Sequence, residues 1–189
     1  PRWQYEISSH NYTAALGAHL DKSIVGGKGA QLGEMLRAGF PVPDGFNITV
    51  QAYQRFLKEN HIAPLIREAI GTLDTTNQSN LPDRTEDIQA AIANGSIPPE
   101  IEHEIRATYR QLSLGVNHAD KISGVAIRSS ATTEDLPGAS FAGQHDTYLN
   151  VPDESRMVDS IKKCWASLWN QRAIYYRKRL GLDPLNVSM

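Results

Sequence analysis

The feature that most restricts the fold of this chain is a glycine turn with a lysine inside it. Ser23-Ile24-Val25 is a short apolar step, and Gly26-Gly27-Lys28-Gly29 follows directly. Adjacent glycines let the backbone turn tightly, so amide N–H groups can face an anion. A helix starting there adds a partial positive charge at its N-terminus. Leu32, Met35 and Leu36 recur at i, i+3, i+4 spacing and Gly39 supplies a stop, which predicts that helix. A lysine in such a turn offers phosphate a point charge. The turn is not a P-loop, which needs glycine where Lys22 stands and Ser or Thr where Gly29 stands. It is not a dinucleotide fingerprint either, because Gly27, Gly29 and Gly33 are spaced one residue too widely. On this segment alone, a glycine-rich loop with an incidental exposed lysine remains an equal reading.

The rest of the chain alternates short strands with helical patterns. Pro41-Val42-Pro43-Asp44-Gly45 is a turn leading into a strand over 46–48. Thr49 is placed to cap a helix carrying Tyr53, Phe56 and Leu57 on one face. Residues 71–82 are polar and turn-rich and are read as a loop. A helix with Ile88, Ala91 and Ile92 ends near Gly95, and Pro98-Pro99 open another with Ile101, Ile105, Tyr109 and Leu112 inward. Residues 124–129 read as a buried strand, and 146–151 as a second strand. A long helical pattern follows, with Val158, Ile161, Trp165 and Leu168 in one stripe. It breaks near Asn170 and resumes through Ile174 and Arg177 to Gly181. Few strands scattered among helices give an α+β fold class.

Two further segments carry candidate chemistry. Arg128 stands at the end of the expected buried strand, where a charge is costly unless something anionic faces it. Its fork fits a phosphate or a carboxylate equally. Four small hydroxyl residues lie close behind it (Ser129, Ser130, Thr132 and Thr133), followed by Glu134 and Asp135. An internal pair between Arg128 and one of those carboxylates is therefore the alternative to a ligand site. The irregular stretch 130–142 and the small residues around Gly143 suit a lid that closes over a ligand.

Bulk properties narrow the function classes. The chain has 189 residues, 40% hydrophobic and 21% charged, which is ordinary for a globular domain able to bury a core without disulfides. Its 19 basic and 21 acidic residues leave a net charge of -2, so no basic excess marks nucleic acid or an anionic membrane as a partner. One cysteine, Cys164, forms no internal pair and reads as a small buried core residue in a reducing compartment. No signal peptide or apolar run of about 20 residues is present. The expected location is cytoplasmic. The chain starts at Pro1 and stops at Met189, where a strand could be beginning, and both ends are read as cut.

Taken together, the segments carry a resemblance. Val25-Gly26-Gly27-Lys28-Gly29-Ala30 with Pro41-Val42-Pro43-Asp44-Gly45-Phe46 resembles the opening of the phosphoenolpyruvate synthase and pyruvate phosphate dikinase family. Ala126 to Thr132, Glu134-Asp135-Leu136-Pro137 and Ala139 to Gln144 resemble its ATP-binding loop. Asp146 to Val151 and Cys164 to Trp169 continue the likeness, which covers nearly everything outside residues 60–120.

The resemblance implies that residues 1–189 are the N-terminal part of an ATP-grasp domain, with a helical insertion at about 60–120. It implies that Lys28 and Arg128 contact ATP phosphates, that Gly143 and Thr147 help bound the nucleotide, and that 130–142 is the lid. Beyond Lys28 and Arg128 it implies no catalytic residue and no metal ligand here. Mg2+ ligands, the C-terminal ATP-grasp lobe and the phosphohistidine domain would lie elsewhere in the parent, and this piece alone would be inactive. Thr133 replaces the family's usual alanine and His145 its common glutamine. None of His10, His19, His61, His103, His118 and His145 has a phosphohistidine context. The acceptor stays open between pyruvate and a rifampin-type antibiotic, because rifampin phosphotransferases are similar in this lobe. A stand-alone nucleotide-binding module is the third possibility.

Overall fold

The computed structural model describes residues 12–18, 20–71, 81–115, 124–133, 146–183 and 185–189. Along these the order is β1 (Thr13–Ala15), α1 (Lys22–Arg37), β2 (Phe46–Ile48), α2 (Val50–Glu59), α3 (Ile62–Gly71), α4 (Leu81–Asn94), α5 (Pro99–Gly115), β3 (Val125–Arg128), β4 (Thr147–Val151), α6 (Glu154–Ser167) and α7 (Gln171–Arg179). The α+β reading therefore stands. The strands form two antiparallel ribbons, β1 with β2 and β3 with β4.

The helices start where polar caps allow. Asp153 accepts from the Arg156 amide at 2.9 Å to open α6, and Asn170 accepts from the Ala173 amide at 2.7 Å to open α7. Asn170 thus explains the break expected near it. Thr49 precedes α2 with an extended backbone but makes no side-chain cap bond. Pro99 occupies the first position of α5, where its missing N–H costs nothing.

One core unites these helices. α2 buries Tyr53 and Phe56, α4 buries Ile88 and Ile92, α5 buries Ile101 and Ile105, and α6 contributes Ile161 and Trp165. The Trp165 ring lies 4.8 Å from Phe56 and 5.6 Å from Tyr53. Trp169 donates its indole N–H to the Tyr53 hydroxyl at 2.8 Å. The helices between residues 60 and 120 are thus packed members of the core. Glu154 at the start of α6 accepts from Arg106 and Arg110, tying α5 to α6 across the surface.

Four expectations change. Helix α1 starts at Lys22, ahead of the glycines, and carries a break at Gly26 (φ 72°, ψ 174°). Its buried face is Val25, Gly29 and Gly33, while Met35 is exposed. The reason is close backbone approach: a Cβ on Gly29 would stand 2.6 Å from Asn47 Oδ1, and one on Gly33 2.7 Å from the Leu16 carbonyl oxygen. β3 is not a buried strand. Ala126 and Arg128 are exposed and only Val125 and Ile127 turn inward, because α6 covers one face of the two-stranded ribbon. β1 and α3 had no counterpart in the sequence reading. Of the loop read over 71–82, residues 72–80 lie outside the described residues, and Gly71, Leu81 and Pro82 are helical. Near the C-terminus no strand forms over 187–189. Ser188 instead exchanges bonds with Thr132, its carbonyl accepting from the Thr132 amide at 2.9 Å.

Candidate functional site

A cleft of about 560 Å³ opens between α1, the β1–β2 ribbon, the β3–β4 ribbon and α6. Its floor is apolar, with Val25, Phe46, Ile161 and Trp165 among the lining side chains. Lys28, Asp44, Asn47, Arg128, Ser129 and Ser130 supply the polar groups. The cleft therefore brings Lys28 and Arg128 to one cavity. Its chemistry suits a ligand with a flat apolar part and an anionic end.

The two cation-bearing segments are joined directly. Residues 129–131 leave the end of β3 and lie across the break in α1. The Ser129 carbonyl accepts from Lys28 Nζ at 3.1 Å, and the Ala131 carbonyl accepts from the Gly27 amide at 3.1 Å. The Ser130 hydroxyl accepts from the Gly29 amide at 2.9 Å and donates to the Val25 carbonyl at 2.7 Å. This differs from the expected open anion nest. The amides of Gly27 and Gly29, at the start of the second helical stretch, are capped by the chain's own serine and carbonyl. Glycine is required at position 26 for two reasons. Its φ of 72° is left-handed, and a Cβ there would lie 1.9 Å from the Ser130 carbonyl oxygen.

Arg128 stands on the exposed side of β3, opposite Thr147 in the register. Among the described residues it makes no ion pair. The alternative pairing with Glu134 or Asp135 falls on residues outside the described set, as do Gly143 and most of the stretch 130–142. Thr147 is exposed on β4 but does not itself line the cleft. A bulge separates the two ends of the ribbon: Val125 faces Val151 and Ile127 faces Tyr148, so β4 carries one extra residue. Asn150 absorbs it with φ 54°.

Beneath the ribbon lies Cys164, 4% exposed, with Sγ 3.7 Å from the Asp146 carbonyl oxygen and 4.0 Å from that of Ile127. Burial pushes its thiol up to about 12; nearby Asp146 adds to the shift and Lys28 opposes it. The core reading of this cysteine stands, and the thiol is an inert wall element. Tyr148, whose hydroxyl donates to Asp146 at 3.2 Å, is raised above the ordinary phenol value by burial first and Asp146 second.

Ser129 and Thr133 are buried, and among the described residues their hydroxyl oxygens find no hydrogen-bond partner. Asp44 and Asn47 also line the cleft, though from sequence they were read only as part of the turn and of the strand that follows it. No local signal in the chain could have joined Ser130 to Gly29, since the contact spans two distant segments. Among the described residues no group of three or more His, Cys, Asp or Glu side chains converges to hold a metal. No helix there is long and apolar enough to cross a membrane.

The sequence that builds this site has relatives among known proteins. A family described as "Pyruvate phosphate dikinase, AMP/ATP-binding domain" matches residues 22–189. The chain belongs to that family. Relatives include the probable phosphoenolpyruvate synthase of Staphylothermus marinus, 45% identical over 162 residues, covering 86% of this chain and 19% of that protein. The phosphoenolpyruvate synthase of Aquifex aeolicus is 42% identical over 173 residues, covering 89% and 20%. That of Pyrococcus furiosus is 38% identical over 201 residues, covering 89% and 24%. The chain spans about a fifth of the length of these curated relatives.

Proposed function

We propose that this chain is the ATP-binding portion of a phosphoenolpyruvate synthase-like dikinase, folded as the N-terminal lobe of an ATP-grasp domain with residues 60–120 as its helical insertion. Lys28 and Arg128 grip the polyphosphate. Thr147 and Gly143 bound the nucleotide, and the stretch 130–142 closes over it. The observation that carries the reading is the shared cleft: Lys28 and Arg128 both line it, and the Lys28 ammonium rests on the carbonyl of the residue after Arg128.

The two cations do different work. Lys28 is a point charge that can exchange the neutral Ser129 carbonyl for a phosphate oxygen. Arg128 is a planar fork able to hold two oxygens at once. Together they neutralise charge on the phosphates and orient the chain of phosphorus atoms for transfer. The apolar floor excludes water from the base side of the nucleotide.

The relatives' names, phosphoenolpyruvate synthases, support a phosphoryl-transferring parent, which this reading takes to be a dikinase. ATP is split to AMP: the β-phosphoryl passes through a histidine to pyruvate and the γ-phosphoryl goes to water as inorganic phosphate, with the histidine and the acceptor site in other parts of the parent. Mg2+ supplies charge neutralisation at the phosphates when bound. Its ligands are assigned to the second lobe, as the resemblance to the dikinase family implies. By itself the chain binds ATP without turnover.

Calorimetric titration with ATP tests the grip. Lys28→Ala and Arg128→Ala should each weaken binding by roughly 10- to 100-fold, the worth of one charge-assisted contact. Thermal midpoints should stay close to the parent value. Unchanged affinity in both variants would sink the shared phosphate site.

A further inference from the structure

We infer that Ser130 is the positioning residue that fixes Lys28 relative to Arg128, so that the two cations address one polyphosphate. The inference rests on the nucleotide reading above and adds a role that neither cation can supply. The Ser130 hydroxyl bonds the chain on both sides of Lys28: it donates to the Val25 carbonyl and accepts from the Gly29 amide. The same residue follows Arg128 and Ser129 off the end of β3. One oxygen atom therefore couples the two segments.

Its neighbours complete the clamp. The Ala131 carbonyl takes the Gly27 amide, and the Ser129 carbonyl takes the Lys28 ammonium. The clamp is mostly enclosed: Val25, Gly26, Gly27, Gly29, Ser129 and Ala131 are buried, and Lys28 and Ser130 are half-buried where they line the cleft. In such surroundings both bonds of the hydroxyl matter more than at a surface, and losing it strands a buried donor and a buried acceptor together. The missing Cβ of Gly26, with Ser130 O occupying its place, leaves no slack for the segments to re-pack. Without the hydroxyl the Lys28 turn loses its bonds at Val25 and Gly29, and the lysine samples positions away from Arg128. Proximity and orientation are lost, although both charges remain.

The test is a double-mutant cycle on ATP affinity, measured by calorimetry in the natural protein that carries this chain. The variants are Ser130→Ala, Lys28→Ala and the pair together, with urea unfolding alongside. Ser130→Ala should weaken ATP about tenfold, the worth of about one lost hydrogen bond. In the Lys28→Ala background the same change should cost less than about twofold, because the hydroxyl acts through the lysine. A purely structural serine would cost the same in both backgrounds, and that result overturns the inference. Should Ser130→Ala not fold, Ser130→Cys keeps the volume with a weaker donor, and it should bind ATP several-fold more weakly. Affinity equal to the parent in either folded variant also overturns the inference. A parent protein that binds no ATP at all removes the nucleotide reading itself, a failure distinct from one confined to Ser130.

Discussion

The helical core and the glycine–serine clamp are held by opposite means. In the core, Tyr53, Phe56, Trp165 and Trp169 supply large apolar surface, and most of their partners come from other helices. Burial there is non-directional and divisible among many contacts. In the clamp the side chains have nearly vanished. Two glycine amides, one serine hydroxyl, one ammonium and three carbonyls meet at hydrogen-bond distance, and every contact is directional. The core should therefore lose stability in proportion to the volume removed. The clamp should lose ligand affinity from changes as small as one methyl group.

The largest expected effect tests the core side. Phe56 is fully buried and does not line the cleft. Phe56→Ala should cost about 3–5 kcal/mol of unfolding free energy, as large aromatic truncations do. ATP affinity of the molecules that remain folded should fall by no more than about fivefold, because Phe56 acts on the cleft through Trp165 and does not line it. Denaturant titration at fixed pH gives the first quantity and calorimetry the second. A binding loss comparable to the stability loss would show that the two regions are one cooperative unit.

Gly26→Ala tests the other side. It forces a side chain into left-handed backbone and into the Ser130 carbonyl at once. The expected stability loss is about 1–3 kcal/mol, and ATP binding should fall by about tenfold or more because residues 129–131 must move. Gly39 is the control: its φ is 86° but nothing lies within 4 Å of a Cβ there. Gly39→Ala should therefore show only the backbone cost, about 1 kcal/mol, with unchanged ATP affinity. Equal binding losses at the two glycines would mean that strain alone, not contact with Ser130, controls the site.

The same contrast explains what the sequence could and could not disclose. Helices with strong periodicity were legible: α2 through Tyr53 and Phe56, α5 through Ile101 and Ile105, and α6 through Ile161 and Trp165, because repeated burial writes a period of 3.6. Lys28 and Arg128 were legible as candidates from local chemistry. α1 was misread in part because its buried face is written in glycine, which carries no hydropathy signal. The exposure of Arg128 was missed because an apolar tetrapeptide does not reveal how many of its faces are covered. The two bonds of Ser130 belong to tertiary structure alone, and no spacing rule joins position 130 to positions 25 and 29. Three-residue strands such as β1 are too short for their alternation to stand out.

Cys164 sits where the two regions meet, on α6 beneath the carbonyls of Ile127 and Asp146. The pH dependence of stability shows to which of them it belongs. Its folded thiol is pushed up to about 12 from an ordinary 9.0, chiefly by burial. Between those values the unfolded chain releases a proton that the folded chain keeps, so the unfolded state binds fewer protons and stability falls as pH rises. The contribution is fully present below about pH 9 and is lost as pH climbs toward 12. Between pH 8 and pH 10 the loss should be on the order of 1 kcal/mol. Cys164→Ala removes that slope while adding a constant cost for the lost sulfur. The difference between the two pH profiles, measured by denaturant unfolding, isolates the thiol from the tyrosines that also titrate in alkali. Parallel profiles would mean that the thiol ionises as freely in the folded chain as in water. Cys164 would then be an accessible wall of the ligand cleft and no longer part of the core.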